Sequence, residues 1–90
     1  MADVTGIVRF PINIPGLEIG TCVASDGETL PTLFHKLGGL VAVGSSAGTI
    51  VSVSAISNGI ATLQVQAGDT STSVTDDTVY YIAWRQPQSP

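Results

Sequence analysis

Thr49-Ile-Val-Ser-Val-Ser-Ala-Ile56, then Ser57-Asn-Gly59, then Ile60-Ala-Thr-Leu-Gln-Val-Gln-Ala67: this run alternates apolar residues with Ser, Thr or Gln on both sides of an Asn-Gly pair. A period of two puts one set of side chains on each face of a strand, and Asn58-Gly59 supplies the positive backbone angles that a two-residue hairpin turn demands. The run therefore reads as two antiparallel strands. In the second, Ala61, Leu63, Val65 and Ala67 share one face and Thr62, Gln64 and Gln66 the other, as expected when one side meets a core.

Further along, Val79-Tyr-Tyr-Ile-Ala-Trp84 reads as a last strand that is apolar on both faces, with Val79, Tyr81 and Ala83 on one and Tyr80, Ile82 and Trp84 on the other. Such a strand is either central to a sandwich or covered by a neighbouring subunit, which makes Tyr80, Ile82 and Trp84 candidate interface residues. Toward the N-terminus, Leu17 to Ala24 reads as a strand closed by the turn Ser25-Asp26-Gly27, and Leu40 to Val43 as another extended piece. Val4 to Phe10 reads as a strand or an arm. Pro11 and Pro15 donate no amide hydrogen, so the piece they bracket belongs at an edge or outside a sheet. Leu30, Leu33, Phe34 and Leu37 recur at helical spacing; with Thr29 as cap, Pro31 in the first turn and Gly38-Gly39 as the stop, they predict one helix of about two turns. The expectation is one mainly β domain over residues 1–90, a small antiparallel barrel or sandwich of about six short strands with one short helix. Residues 1–15 are expected to form an extended N-terminal arm and 86–90 a loose polar tail.

Only 11% of the residues are charged, against the roughly 25–35% usual on the surface of a small soluble domain. Nine Ser, ten Thr and Gln64, Gln66, Gln86 and Gln88 supply polarity instead. With 43% hydrophobic residues, such an exterior loses few hydrated charges when another protein covers it, which points to a subunit that lives in contact with protein. The net charge is −4, and the cations Arg9, Lys36 and Arg85 are too few and scattered to neutralise a row of phosphates or an anionic lipid surface. Neither nucleic acid nor membrane is an expected partner. No apolar run is long enough to span a bilayer, and Met1-Ala-Asp-Val-Thr5 lacks the features of a secretory signal, so synthesis in a cytoplasm is expected.

Cys22 stands alone, which leaves no internal disulfide or cysteine-based zinc cage, and its apolar setting Ile19-Gly-Thr-Cys-Val-Ala24 reads as that of a buried structural thiol. A trio of Cys22, His35 and Asp26 can be written down, yet its spacing matches no nucleophilic motif, and His35 beside Lys36 reads as solvated. Asp69, Asp76 and Asp77 share a Ser/Thr-rich loop of the kind calcium favours. Without the EF-hand spacing or a closing bidentate glutamate, the reading is a solvated acidic loop. The glycines fit no phosphate-binding pattern. No catalytic residue, cofactor or metal is expected, and an enzyme is the least favoured class.

A short acidic β chain with a Pro-punctuated N-terminal region, a Gly/Ser/Thr-rich middle and the aromatic closing strand Val79 to Trp84 resembles small virion proteins of tailed bacteriophages, most of all head decoration (cement) proteins. The resemblance implies a homotrimer at threefold or quasi-threefold positions on the outer capsid surface, bound to the major capsid protein and stabilising the shell after expansion. It implies further that an N-terminal arm adds a strand to a neighbour, a role that falls here on Val4, Ile7, Val8 and Phe10. Many identical weak contacts on a shell add up, so a small neutral interface suffices. Two other readings stay open. One is a different virion part, such as a tail or head fibre subunit; the other is a small ligand-binding β-barrel, for carbohydrate, using Trp84 and the Asp69 to Asp77 loop.

Overall fold

β1 (Thr5–Arg9), β2 (Leu17–Ala24), β3 (Thr29–Pro31), β4 (Leu37–Gly44), β5 (Thr49–Ser57), β6 (Ile60–Ala67) and β7 (Asp77–Arg85) are the regular elements of the structure, a computed structural model that describes residues 3–86. They pair antiparallel into two sheets, of order β1-β2-β7-β4 and β3-β6-β5. The chain is mainly β, as its alternation predicts.

The β5–β6 hairpin closes on a two-residue turn between the paired residues Ser57 and Ile60. Asn58 takes the positive angle there, with φ 55°, but Gly59 does not; its role is steric. A β-carbon on Gly59 would overlap the carbonyl oxygen of Phe34, which crosses close over the turn. From this hairpin Ala61, Leu63 and Val65 point inward against Val79, Tyr81 and Ala83 of β7 and Cys22 and Ala24 of β2, with Leu30, Leu37 and Leu40 completing the core. Full burial of each larger aliphatic side chain stabilises the fold by about 1.5–3 kcal/mol.

Three expectations require correction. No helix forms over Leu30 to Leu37 among the described residues: Leu30 lies in β3, Leu37 starts β4, and Leu33 between them is 73% exposed. Two amides that a helix would bond inside itself are taken by distant acceptors, Leu33 N by Glu18 Oε1 at 2.9 Å and Leu37 N by Asn58 O at 2.7 Å, and Thr32 N donates to Gly59 O at 2.9 Å. A helix of two turns is too marginal to compete with them. The barrel does not close either. The β4/β5 boundary and the β1/β3 boundary carry isolated bonds in place of a ladder, and β3 is only three residues long, ending in Pro31. Finally, the N-terminal arm is instead part of the sandwich. Val4 donates its amide to Thr29 O at 2.9 Å and is buried, Asp3 bridges to Thr29, and Thr5–Arg9 pairs with β2. Pro11 to Gly16 is the connection between β1 and β2, outside any ladder, where its prolines fit. Of the expected tail, Gln86 donates its amide to Lys36 O at 3.0 Å; Met1, Ala2 and residues 87–90 lie outside the described residues.

The two turn residues can be told apart by substitution. Gly59→Ala should lower the unfolding free energy by about 1–3 kcal/mol, because Phe34 must move. Asn58→Gly should be close to neutral, since glycine takes φ 55° freely. Urea unfolding of both variants measures the difference.

Candidate interaction surface

Strand register places three mainly apolar rows of side chains across the outer face of the β1-β2-β7-β4 sheet, beyond a row of Val23 and Thr78 near the acidic end. Val8, Thr21, Tyr80 and Val43 form one row. Phe10, whose amide donates to Ile19 O at 2.8 Å, heads the second with Ile19, Ile82 and Val41. Leu17, Trp84 and Gly39 make the third, with the indole packed over Gly39, where any β-carbon would collide with the ring. None of these positions carries a charge. Val8, Phe10, Val41, Val43, Tyr80, Ile82 and Trp84 are between 40% and 58% exposed. The depression between Phe10, Val43 and Tyr80 holds only about 250 Å³, below the roughly 300–1,000 Å³ of small-molecule pockets, so the surface fits a broad partner better than a buried ligand.

The opposite outer face, on β3-β6-β5, has a different chemistry. Ile50 is paired across from Gln66, Ser52 from Gln64 and Ala55 from Thr62, and the Ser52 hydroxyl donates to Gln64 Oε1 at 3.3 Å. Hydroxyls and amides line it around the exposed Ile50 and Ile60, and the Asp3 carboxylate reaches its β3 edge through the Thr29 hydroxyl.

Charges collect at the ends because the turns are there. The turns at 25–28, 45–48 and 68–76 lie at one end of the sandwich, where β2, β4 and β6 finish. Ser73 Oγ at 2.6 Å and the Val65 amide at 2.9 Å both donate to Asp26, and these bonds hold its carboxyl below the usual carboxylate value. Glu28 accepts from Ser25 N at 2.7 Å, Asp76 from Ser25 Oγ at 3.2 Å, and Asp3 from the Thr29 hydroxyl. The buried Asp77 accepts from Ser46 Oγ at 2.7 Å and Ser45 Oγ at 3.2 Å, while its Oδ2 has no protein partner. At the other end stand His35, Lys36 and Arg85, drawn together by the Gln86 to Lys36 bond.

The remaining pair, Arg9 and Glu18, is internal. Glu18, buried on the core side of β2, accepts from Tyr81 Oη at 2.5 Å, Leu33 N at 2.9 Å and Arg9 Nε at 3.1 Å, and Arg9 Nη2 continues to Pro31 O at 3.0 Å. This node fastens β1 and the 31–33 segment to β2 and β7. Burial, together with the bond to the Glu18 carboxylate, pushes the Tyr81 hydroxyl above its ordinary pKa.

Of the sequence-derived site residues, Val8, Phe10, Tyr80, Ile82 and Trp84 come together on the apolar face, whereas Val4 is in the core and Ile7 packs against it. Val41, Val43, Ile19 and Leu17 belong to the same face and were not foreseen. Their signal was present in the unbroken apolar run Leu40 to Val43, which like β7 has no polar side. Trp84 and the Asp69 to Asp77 loop sit at opposite ends of β7 and so build no common sugar pocket. Cys22 is sealed in the core, His35 is exposed in the 32–36 connection and Asp26 is engaged by β6, so the structure does not assemble the three. Among the described residues no group of His, Cys, Asp or Glu is placed to hold a metal.

Burial, with a smaller push from the Glu28 carboxylate, raises the Cys22 thiol to about 11. It should therefore resist a thiol-exchange reagent at mildly alkaline pH in the native state and react fully in denaturant; rapid native labelling would show that the core is open. Asp26, with its folded value below the unfolded 3.8, contributes stability at neutral pH that is lost as pH falls through about 4 and below. Replacing it, Asp26→Asn should lower stability at pH 7 and flatten the acid limb of a urea-midpoint against pH curve.

No protein-family model, curated protein or solved structure matches the chain, so its function is read from the surfaces just described.

Proposed function

We propose that the chain is a structural subunit of a virion, a decoration protein that binds the outer surface of a phage head and stabilises it. One observation carries the reading: the charged side chains of the described residues gather at the ends of the sandwich or, as with Arg9 and Glu18, pair internally, and apart from Asp3 at the β3 edge neither broad face holds one. A domain that stays in water spreads charge over its faces for solubility. A domain covered by protein on those faces loses little hydration energy there.

The hydroxyl- and amide-lined face of β3-β6-β5 suits the major capsid protein, because Ser, Thr and Gln can exchange water for protein partners without stranding a charge. The resemblance of the sequence to head decoration proteins supplies the kind of partner, the outside of an assembled shell. Repetition of one modest contact over a shell supplies the strength.

Mixed with expanded heads of the same virus that lack it, the chain should co-sediment saturably and raise the temperature at which the heads break open. The double variant Ser52→Glu, Gln64→Glu, which places two charges on the hydroxyl face, should weaken that binding about tenfold or more. Failure of the unmodified chain to bind heads would refute the proposal; rings or fibres in electron micrographs would move it to a tail or fibre role.

A further inference from the structure

We propose that the apolar outer face of β1-β2-β7-β4 is covered by a second copy of this chain, packed face to face with its strands antiparallel, so that the acidic end of each copy lies beside the basic end of the other. The inference rests on the reading that the chain is an assembling subunit, and it names the partner for one face.

Area is the first support. Side chains of roughly 150–250 Å² exposed to the extent found here, together with the partly covered Ile19 and Leu17, offer on the order of 700 Å² per copy, close to the roughly 800 Å² per partner of a specific interface. The face is also suited to itself, since two uncharged faces meet without either one desolvating an ion. Ile82 sits in the middle row, at the centre of the contact, and a twofold axis through it lets the Tyr80 row of one copy meet the Trp84 row of the other.

Charge then selects the orientation. Face-to-face packing about a twofold can run parallel or antiparallel. A parallel pair sets the acidic ends of both copies on the same side, where like charges repel to the extent that salt leaves them unscreened. The antiparallel pair instead sets each acidic end against Lys36 and Arg85. A trimer with its strands along the axis gathers three acidic ends and is disfavoured for the same reason.

Sedimentation equilibrium of the full chain should return twice the 9.2 kDa chain mass, and Val41→Lys, at an exposed position that leaves the core intact, should return one. Orientation is read by oxidative cross-linking of single-cysteine additions, with Cys22 silent in the core. A Tyr80→Cys chain mixed with a Trp84→Cys chain should yield the mixed dimer over either self-linked one. A monomeric or trimeric mass, or preferred self-linking at position 80, would overturn the inference. Monomers that still bind heads would do so while leaving the virion reading intact; dimers that bind no heads would refute the virion reading and leave the pair standing.

Discussion

A two-layer sandwich covers one side of each sheet, and β7 carries large apolar side chains on both of its sides. Because side chains alternate strictly, Val79, Tyr81 and Ala83 enter the core only if Tyr80, Ile82 and Trp84 point away from it. The ladders on either side extend that surplus outward, setting Ile19 and Val41 beside Ile82 and Val43 beside Tyr80. A slip of one residue would exchange the faces and empty the core, so register that makes the interior also makes the apolar exterior. The exposed face is therefore a consequence of how this sheet is built and is removed only by changing residues on all four of its strands.

Glu18 is the second constraint, and it works on the edge of that sheet. A carboxylate taken from water costs several kcal/mol unless it is paired, and here a guanidinium, a phenol and a main-chain amide all donate to it. A well-packed apolar residue in its place could be as stabilising. What the node adds is location: Arg9 comes from β1, Tyr81 from β7 and the Leu33 amide from the segment after β3, so four parts of the chain meet at one oxygen pair. The N-terminal strand is held in its own sandwich for that reason, and because Val4 and Ile7 contribute to the core.

What could be read from the sequence followed from how local its cause was. The β5–β6 hairpin depends on neighbours in the chain, and the alternation of Leu63 and Val65 with Gln64 and Gln66 located its buried side correctly. The two-faced character of β7 was equally visible in Val79 to Trp84. The false helix arose because Leu30, Leu33, Phe34 and Leu37 match its period by coincidence, while the bonds that forbid it come from Gly59, Asn58 and Glu18. Likewise, nothing near Thr5–Arg9 reveals that β2 has a free edge to receive it. The apolar face was half legible: Tyr80, Ile82 and Trp84 mark it, but only pairing brings Val8, Phe10 and Val41 to their side.

The sheet edges decide how such a surface can be used. Uncharged strands without lysine invite pairing with another chain, and β5 has neither a charge nor a proline. Yet each edge is blunted by its backbone. The ladder of β1 shifts between Thr5 and Val8, that of β4 between Leu37 and Gly39, and that of β5 between Val53 and Ala55, while β3 is three residues ending in Pro31. A bulge bends and twists a strand so that a straight partner cannot continue the ladder. With strand addition hindered at all four edges and charge confined to the ends, the surfaces left for association are the two broad faces. One is apolar and suited to a matching apolar sheet, and the other offers hydroxyls and amides to a polar partner. A subunit with two unlike faces can stand between its own copy and a foreign surface, which is compatible with the proposed role on a shell.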